Sequence, residues 1–390
     1  MHRLTLGLLV ATHVVNDFYG GSVAVMVPFL IVERGYSYAA ATGIVLAGTF
    51  LSSLVQPGFG VLTDRYRLGW LVGGGMLVCG VGVAVSGLTH DYLLTWLAIA
   101  ISGVGSAAFH PEAARAARGA AGRSALGMSL FSVGGNIGMA IAPLIVAAVL
   151  TVATLSGTPL LVAPAIVMAA ALAIVPRLAR QAMDSTEPAG LRRAPLLARG
   201  LDDWRMFGWL TGAVISLSVV MIGMRSFLPI YLVHRFGVSP FVGSTVLTVL
   251  IGTGVAGTLL GGWLADLWGR VPVVRVGYAC TLPALAGLLF APTLWVTLVA
   301  VVLLGLALFL PFSVHVTLGQ ECLPRRLGTA SGLTVGLSIS AGGLASPLLG
   351  VLADARGVPA VFVVLMGLVV VALAFSSRFH ETKRWAMETA

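Results

Sequence analysis

The chain has 390 residues, a length that would ordinarily hold two or three water-soluble domains. Its composition excludes them: 58% of residues are hydrophobic and only 9% charged, with a mean hydropathy of +1.00, whereas soluble chains carry about 25% charge. Most of the chain must meet lipid, and a net charge of +9 spread thinly through apolar sequence does not describe a nucleic-acid partner.

A membrane helix needs roughly 20 mostly apolar residues. Read from one polar break to the next, the sequence offers twelve spans: 4–32, 38–62, 69–88, 92–112, 124–151, 155–176, 205–233, 240–264, 271–290, 293–316, 326–353 and 358–377. The expected fold class is therefore an all-α integral membrane protein. The opening MHRLTLGLLV is not read as a cleaved leader, because its apolar run is long and broken by His13, Asn16 and Asp17. Segment 177–204 is polar, with Arg177, Arg180, Asp184, Glu187, Arg192, Arg193, Pro188 and Pro195. It reads as a cytoplasmic linker between six-helix bundles at 1–176 and 205–390.

With both termini placed in the cytoplasm, 19 of the 23 Lys and Arg residues lie on that side. Three (Arg34, Arg235, Arg356) lie outside, and Arg225 falls within a helix. That asymmetry is the positive-inside pattern, and one span more or fewer would scramble it.

The halves repeat. Pro28 and Pro229 are 201 apart, Asp64 and Asp266 202, and Pro143 and Pro347 204. Parallel six-helix repeats are a plan of secondary transporters, which places the expected substrate site between the bundles near the midplane.

Polar residues inside apolar spans need a reason. His13, Asn16 and Asp17 are spaced i, i+3, i+4, on one face of the first helix near mid-depth. Either they are a hydrogen-bonded glue between helices, or they carry protons and contact substrate. His110-Pro111-Glu112 closes the fourth span; Pro111 predicts a local break at His110, and Glu112 is expected at the partly hydrated cytoplasmic edge, paired with Arg115. Glu112 there is either an inner gate and proton relay or a helix-end charge pair. Arg225 either pairs with an acid such as Asp17, binds an anion bidentately, or snorkels to the outer face. His315 corresponds to His110 at an offset of 205 and is either a second site imidazole or a satisfied core histidine. Asp64, Arg65, Asp266 and Arg270 lie in tight cytoplasmic loops, where an Asp at a helix N-terminus beside a guanidinium makes a charge clamp. Gly134, Gly135 and Gly138 followed by Pro143 predict close helix contact and a bend.

No enzyme motif is present, and no phosphate loop of the G-x-x-x-x-G-K-[ST] type, so ATP is not the expected driver. The scattered Cys79, Cys280 and Cys322 define neither a disulfide framework nor a zinc site. His13, His110 and the carboxylates have no spacing that selects a metal, so none is expected.

The twelve spans, the linker and the loops Gly60-Val-Leu-Thr-Asp64-Arg65 and Gly262-Trp-Leu-Ala-Asp266-Leu-Trp-Gly269-Arg270 resemble the major facilitator superfamily. Arg67 stands where that pattern usually has glycine. More narrowly, His13-x-x-Asn16-Asp17, Gly103-x-Gly105-Ser-x-x-Phe109-His110-Pro111-Glu112, Gly134-Gly135-Asn136-x-Gly138 and Ser331-Gly-Leu-Thr-Val-Gly336 resemble the fosmidomycin resistance protein family of bacterial exporters. The helix-5 stretch is also similar to that of drug/proton antiporters, with Ala142 for its second glycine; Ile99 replaces their helix-4 arginine.

The resemblance implies alternating-access export of a small polar or anionic compound, such as a phosphonate antibiotic, against a proton gradient and with no cofactor. The site residues would be Asp17, His110 and Glu112 for coupling. His13, Asn16, Asn136, Arg225 and His315 would bind substrate, and Asp64, Arg65, Asp266, Arg270 and Pro143 would gate. The protein is expected as a lipid-embedded monomer in a bacterial inner membrane. Uptake of a sugar or organic acid is the alternative; a non-transporting receptor or scaffold is the alternative from another class.

Overall fold

A computed structural model describes residues 3–66, 68–121, 125–174, 202–324, 330, 334 and 338–381; the side chains of 3, 64, 65, 125–129, 338 and 339 are outside that description. Among the described residues the chain is helical throughout, with no strand. In chain order the helices are α1 (Arg3–Arg34), α2 (Tyr38–Arg65), α3 (Trp70–Ser86), α4 (Tyr92–Ala121), α5 (Ala125–Ala153), α6 (Ala163–Ile174), α7 (Trp204–Phe236), α8 (Pro240–Trp268), α9 (Arg270–Phe290), α10 (Leu294–Phe309), α11 (Phe312–Cys322), α12 (Ser338–Arg356) and α13 (Val358–Ser376). A 3-10 segment, Leu155–Val162, leads into α6.

Among the described residues ten stretches are long and apolar enough to cross a bilayer, α10 and α11 together forming one of them. The two other expected spans correspond to α3, which at 17 residues measures about 26 Å, and to α12. Most of 326–337, where the eleventh span was expected to begin, lies outside the described residues, as does 177–201 of the linker. Asp203, at the linker's end, caps α7 by accepting from the Met206 amide at 2.9 Å.

Two expectations about the helices need correction. Pro111 does not break α4, which runs through it to Ala121. Pro28, Pro57, Pro143, Pro229 and Pro347 also lie inside unbroken helices, since neighbouring groups in a membrane bundle can re-satisfy what a proline frees. The alanine-rich sequence after Glu112 carries α4 onward, alanine being the strongest helix former. Conversely, the span expected as one helix over 293–316 is two. α10 closes with Leu310 N donating to Leu306 O at 3.1 Å, and α11 starts after Pro311, whose carbonyl accepts from His315 N at 2.9 Å. Pro311 has no amide hydrogen with which to continue the ladder.

By contacts the chain divides into two units, one of α1–α6 and one of α7–α13, save that residues 240–248 group with the first. The same plan recurs in each. α1 packs on α5 and α3 on α4 in the first unit; α7 packs on α12 and α9 on α10 in the second. Small residues set the closeness. A Cβ on Gly138 of α5 would run into the Val14 carbonyl of α1, and one on Gly105 of α4 would lie 2.5 Å from the Gly75 carbonyl of α3. In the second unit a Cβ on Gly342 of α12 would lie 2.9 Å from the Ser218 carbonyl of α7.

The 3-10 segment is held by side chains that do the work of backbone. Tyr19, fully buried on α1, donates to Leu161 O at 2.9 Å and accepts from Ala165 N at 3.1 Å. Glu33 accepts from Leu155 N at 3.0 Å at its start. Groups that a 3-10 helix leaves unpaired in an apolar setting would otherwise cost several kcal/mol each (on the order of the bilayer value).

Candidate functional site

The i, i+3, i+4 face of α1 meets α4 and α5. His13 Nε2 lies 3.3 Å from Asp17 Oδ2, and His110 Nε2, from α4, lies 3.6 Å from Asp17 Oδ1. Asn16 Nδ2 donates to Asp17 Oδ1 at 3.0 Å and to Ser106 Oγ at 3.3 Å. Ser106 stands one turn before His110 on α4, with its hydroxyl 3.2 Å from His110 Nε2. The His13 ring stacks on Phe131 of α5 at a 4.2 Å centroid distance, and its Nδ1 lies 2.7 Å from the Phe131 carbonyl. Gly135, one turn along α5, leaves room for the pair: a Cβ there would lie 2.5 Å from Asp17 Oδ2 and 2.7 Å from His13 Nε2.

These distances constrain the hydrogens. A carbonyl oxygen only accepts, so His13 Nδ1 carries a hydrogen. In a neutral ring Nε2 would then present a lone pair to the carboxylate, acceptor against acceptor at 3.3 Å. A proton or a metal ion fits that gap, the proton being carried either as imidazolium or as carboxylic acid. The side chains are 11% (His13), 18% (Asp17) and 29% (His110) exposed, so the cluster is mostly shielded without being sealed. His13, Asp17 and His110 each offer a ligand atom within 4.8 Å of the others.

The remaining candidates fall elsewhere. Glu112 is fully buried, not partly hydrated as expected. It holds Arg115 bidentately, Nε donating to Oε2 at 3.1 Å and Nη2 to Oε1, one turn further along a helix that does not end at Glu112. Asn136 is half-buried beside Gly135 and joins none of the cluster's described hydrogen bonds. Pro143 is buried within α5.

In the second unit, His315 is in the core, with Nε2 2.7 Å from the hydroxyl of fully buried Tyr278. That is a satisfied core histidine. Arg225 sits partly buried on α7, one turn before Pro229. Asp17's described partners are all in the first unit.

The expected loop clamps take another form. Asp266 is exposed in the last turn of α8, and Asp64 is in the last turn of α2, the negative end of each helix dipole and not an N-cap. Arg270 reaches Glu321 at the end of α11, with Nη1 2.6 Å from Oε1. The side chains of Asp64 and Arg65 lie outside the described residues.

Sequence reasoning missed Ser106, the Phe131 carbonyl and the role of Gly135. Ser106 was available as the residue four before His110; the other two required knowing how closely α5 approaches α1.

The fold and site define a membrane-spanning transporter. The model of the Major Facilitator Superfamily matches residues 9–346, and the chain belongs to that superfamily. It is 30% identical over 360 residues to the fosmidomycin resistance protein of Escherichia coli (strain K12), covering 92% of this chain and 88% of that one. It is also 30% identical over 357 residues to YfnC, an MFS-type transporter of Bacillus subtilis (strain 168), covering 88% and 85%. Among solved structures, a bacterial homolog to the human lysosomal transporter Spinster, inward-facing and occupied, superposes with a TM-score of 0.80 at 18% identity, covering 96% of each chain.

Proposed function

We propose that this transporter exports a small polar or anionic compound, such as a phosphonate antibiotic, in exchange for protons. It does so from a bacterial inner membrane, as a monomer with both termini in the cytoplasm. The observation that carries the proton half is the His13–Asp17 gap, where the Phe131 carbonyl fixes one hydrogen on the ring and the facing lone pairs suit a positive centre between them. A proton fills that gap without displacing a heavy atom, and His110 offers it a second position 3.6 Å from the same carboxylate. Homology to a fosmidomycin resistance protein supports the substrate class, and Arg225, a guanidinium more than two turns from either end of α7, is the group suited to an anion. Glu112, already neutralised by Arg115, stabilises α4 instead of relaying protons.

The test is counterflow in proteoliposomes under an imposed pH gradient, with a phosphonate as the probe. Substrate-dependent proton flux is expected in the unmodified protein and absent in Asp17→Asn. An unchanged pH dependence in that variant would remove Asp17 as the coupling group. Expression should also raise cellular tolerance to phosphonate antibiotics; no change in tolerance would count against the substrate class.

A further inference from the structure

We propose that His13, His110 and Asp17 form a binding site for a divalent transition metal of the zinc class, in addition to any role they have with protons. The ligand set is two imidazoles and one carboxylate, the chemistry that suits zinc, cobalt, iron or nickel; magnesium and calcium prefer oxygen alone. In a tetrahedral site with bonds of about 2.0–2.1 Å, neighbouring ligand atoms lie about 3.4 Å apart. Here His13 Nε2 is 3.3 Å from Asp17 Oδ2, close to one such edge, while His110 Nε2 is 3.6 Å from the other carboxylate oxygen, Oδ1. One ligand atom from each side chain falls within 4.8 Å of the other two, so a turn of the Asp17 carboxylate with the His110 ring brings one oxygen to both imidazoles.

The surroundings support the same assignment independently. Metal-bound histidines almost always donate their other ring nitrogen to a carbonyl or carboxylate, which fixes the tautomer and aims the lone pair. His13 does this through Nδ1 and the Phe131 carbonyl, and its ring is steadied by stacking on Phe131. Asp17 is oriented by the amide of Asn16, which is itself completely buried and whose Oδ1 meets no donor among the described residues. Gly135 leaves the space beside Oδ2 and Nε2 free of any side chain. Three protein ligands leave the fourth tetrahedral position for water or for an oxygen of a polar solute. The sequence could not select this site because His110 comes from another helix, 93 positions beyond Asp17.

Full-length protein, purified in detergent and stripped with chelator, is titrated with Co2+ and then Zn2+. One equivalent of Co2+ is expected to give the intense visible bands of four-coordinate cobalt, bleached by Zn2+. Asp17→Asn and His110→Gln should each weaken binding by more than about 100-fold, beyond the 10- to 100-fold usual for losing an outer-shell partner. His90→Gln, in an exposed loop, should leave the spectrum intact. X-ray absorption at the zinc edge of the unsubstituted protein needs no variant to fold and should show two imidazoles and at least one oxygen. Fewer than two imidazoles, a weak octahedral cobalt spectrum, or bands that survive both substitutions would overturn the assignment. Proton flux in chelator-treated vesicles is a separate measurement, so metal binding and proton coupling can fail independently.

Discussion

His110 and His315 stand at matching places in the two repeats and have opposite neighbours. His110 faces a carboxylate, a hydroxyl and a second imidazole at 29% exposure; His315 faces one phenol in a dry core. Repetition thus preserved the scaffold while the chemistry diverged. The neutral Tyr278–His315 hydrogen bond places no charge between its partners and ties α9 to α11. A carboxylate between two imidazoles has several low-energy arrangements, and only such a group can exchange a cation as the protein works.

That contrast can be broken by substitution. The largest expected effect is from His110→Gln, set against His315→Gln. The first should cut proton flux in proteoliposomes by about 100-fold, the lower end of what one positioned acid or base contributes. The second should lower thermal stability and leave the pH dependence of flux in place. If both alter pH dependence equally, the contrast is wrong. Arg225→Lys comes next: losing the bidentate fork should weaken an anionic substrate several-fold more than a neutral one in competition binding. Equal losses would remove Arg225 from anion recognition.

Gly135→Ala should have a smaller but specific effect. Its methyl must separate Asp17 from His13, which shifts the pH optimum of transport, whereas Gly20→Ala, with open space around its Cβ, should not. Tyr278→Phe should leave His315 Nε2 unsatisfied and destabilise the protein by about 1–3 kcal/mol, read as a lower melting temperature with flux unchanged. Glu321→Gln, which discharges a mostly shielded pair with Arg270, should also lower the melting temperature with flux unchanged.

What could be read from the sequence was whatever depends on spacing within one helix. The span list follows from apolar run length, and the His13–Asn16–Asp17 face from a period of 3.6 residues. The errors came where another helix decides. Pro111 looks like a breaker in isolation and is tolerated in a packed α4, while Pro311, in an apolar run with no comparable warning, divides a span. Glu112 reads as hydrated only if the fourth span ends at 112, whereas α4 runs on to Ala121. Asp266 resembled an N-cap only while α8 was drawn four residues too short, ending at 264 instead of Trp268. The meeting of His110 with Asp17, and the Phe131 carbonyl behind His13, depend on how α4 and α5 lie against α1, which no local pattern records.

The glycine contacts make the first unit mechanically uneven. α1 and α5 touch backbone to backbone at Gly138, as α3 and α4 do at Gly105. His13, Asp17 and Phe131 consequently ride on one stiff plate, and Ser106 and His110 on another. The seam between the plates is crossed by two of the longer links in the cluster, 3.6 Å from His110 to Asp17 and 3.3 Å from Asn16 to Ser106. A small shear along that seam would detach the second imidazole while leaving the first and its carboxylate untouched. Distances between spectroscopic labels on α1 and α5 should therefore stay constant through the transport cycle, and those between α1 and α4 should change.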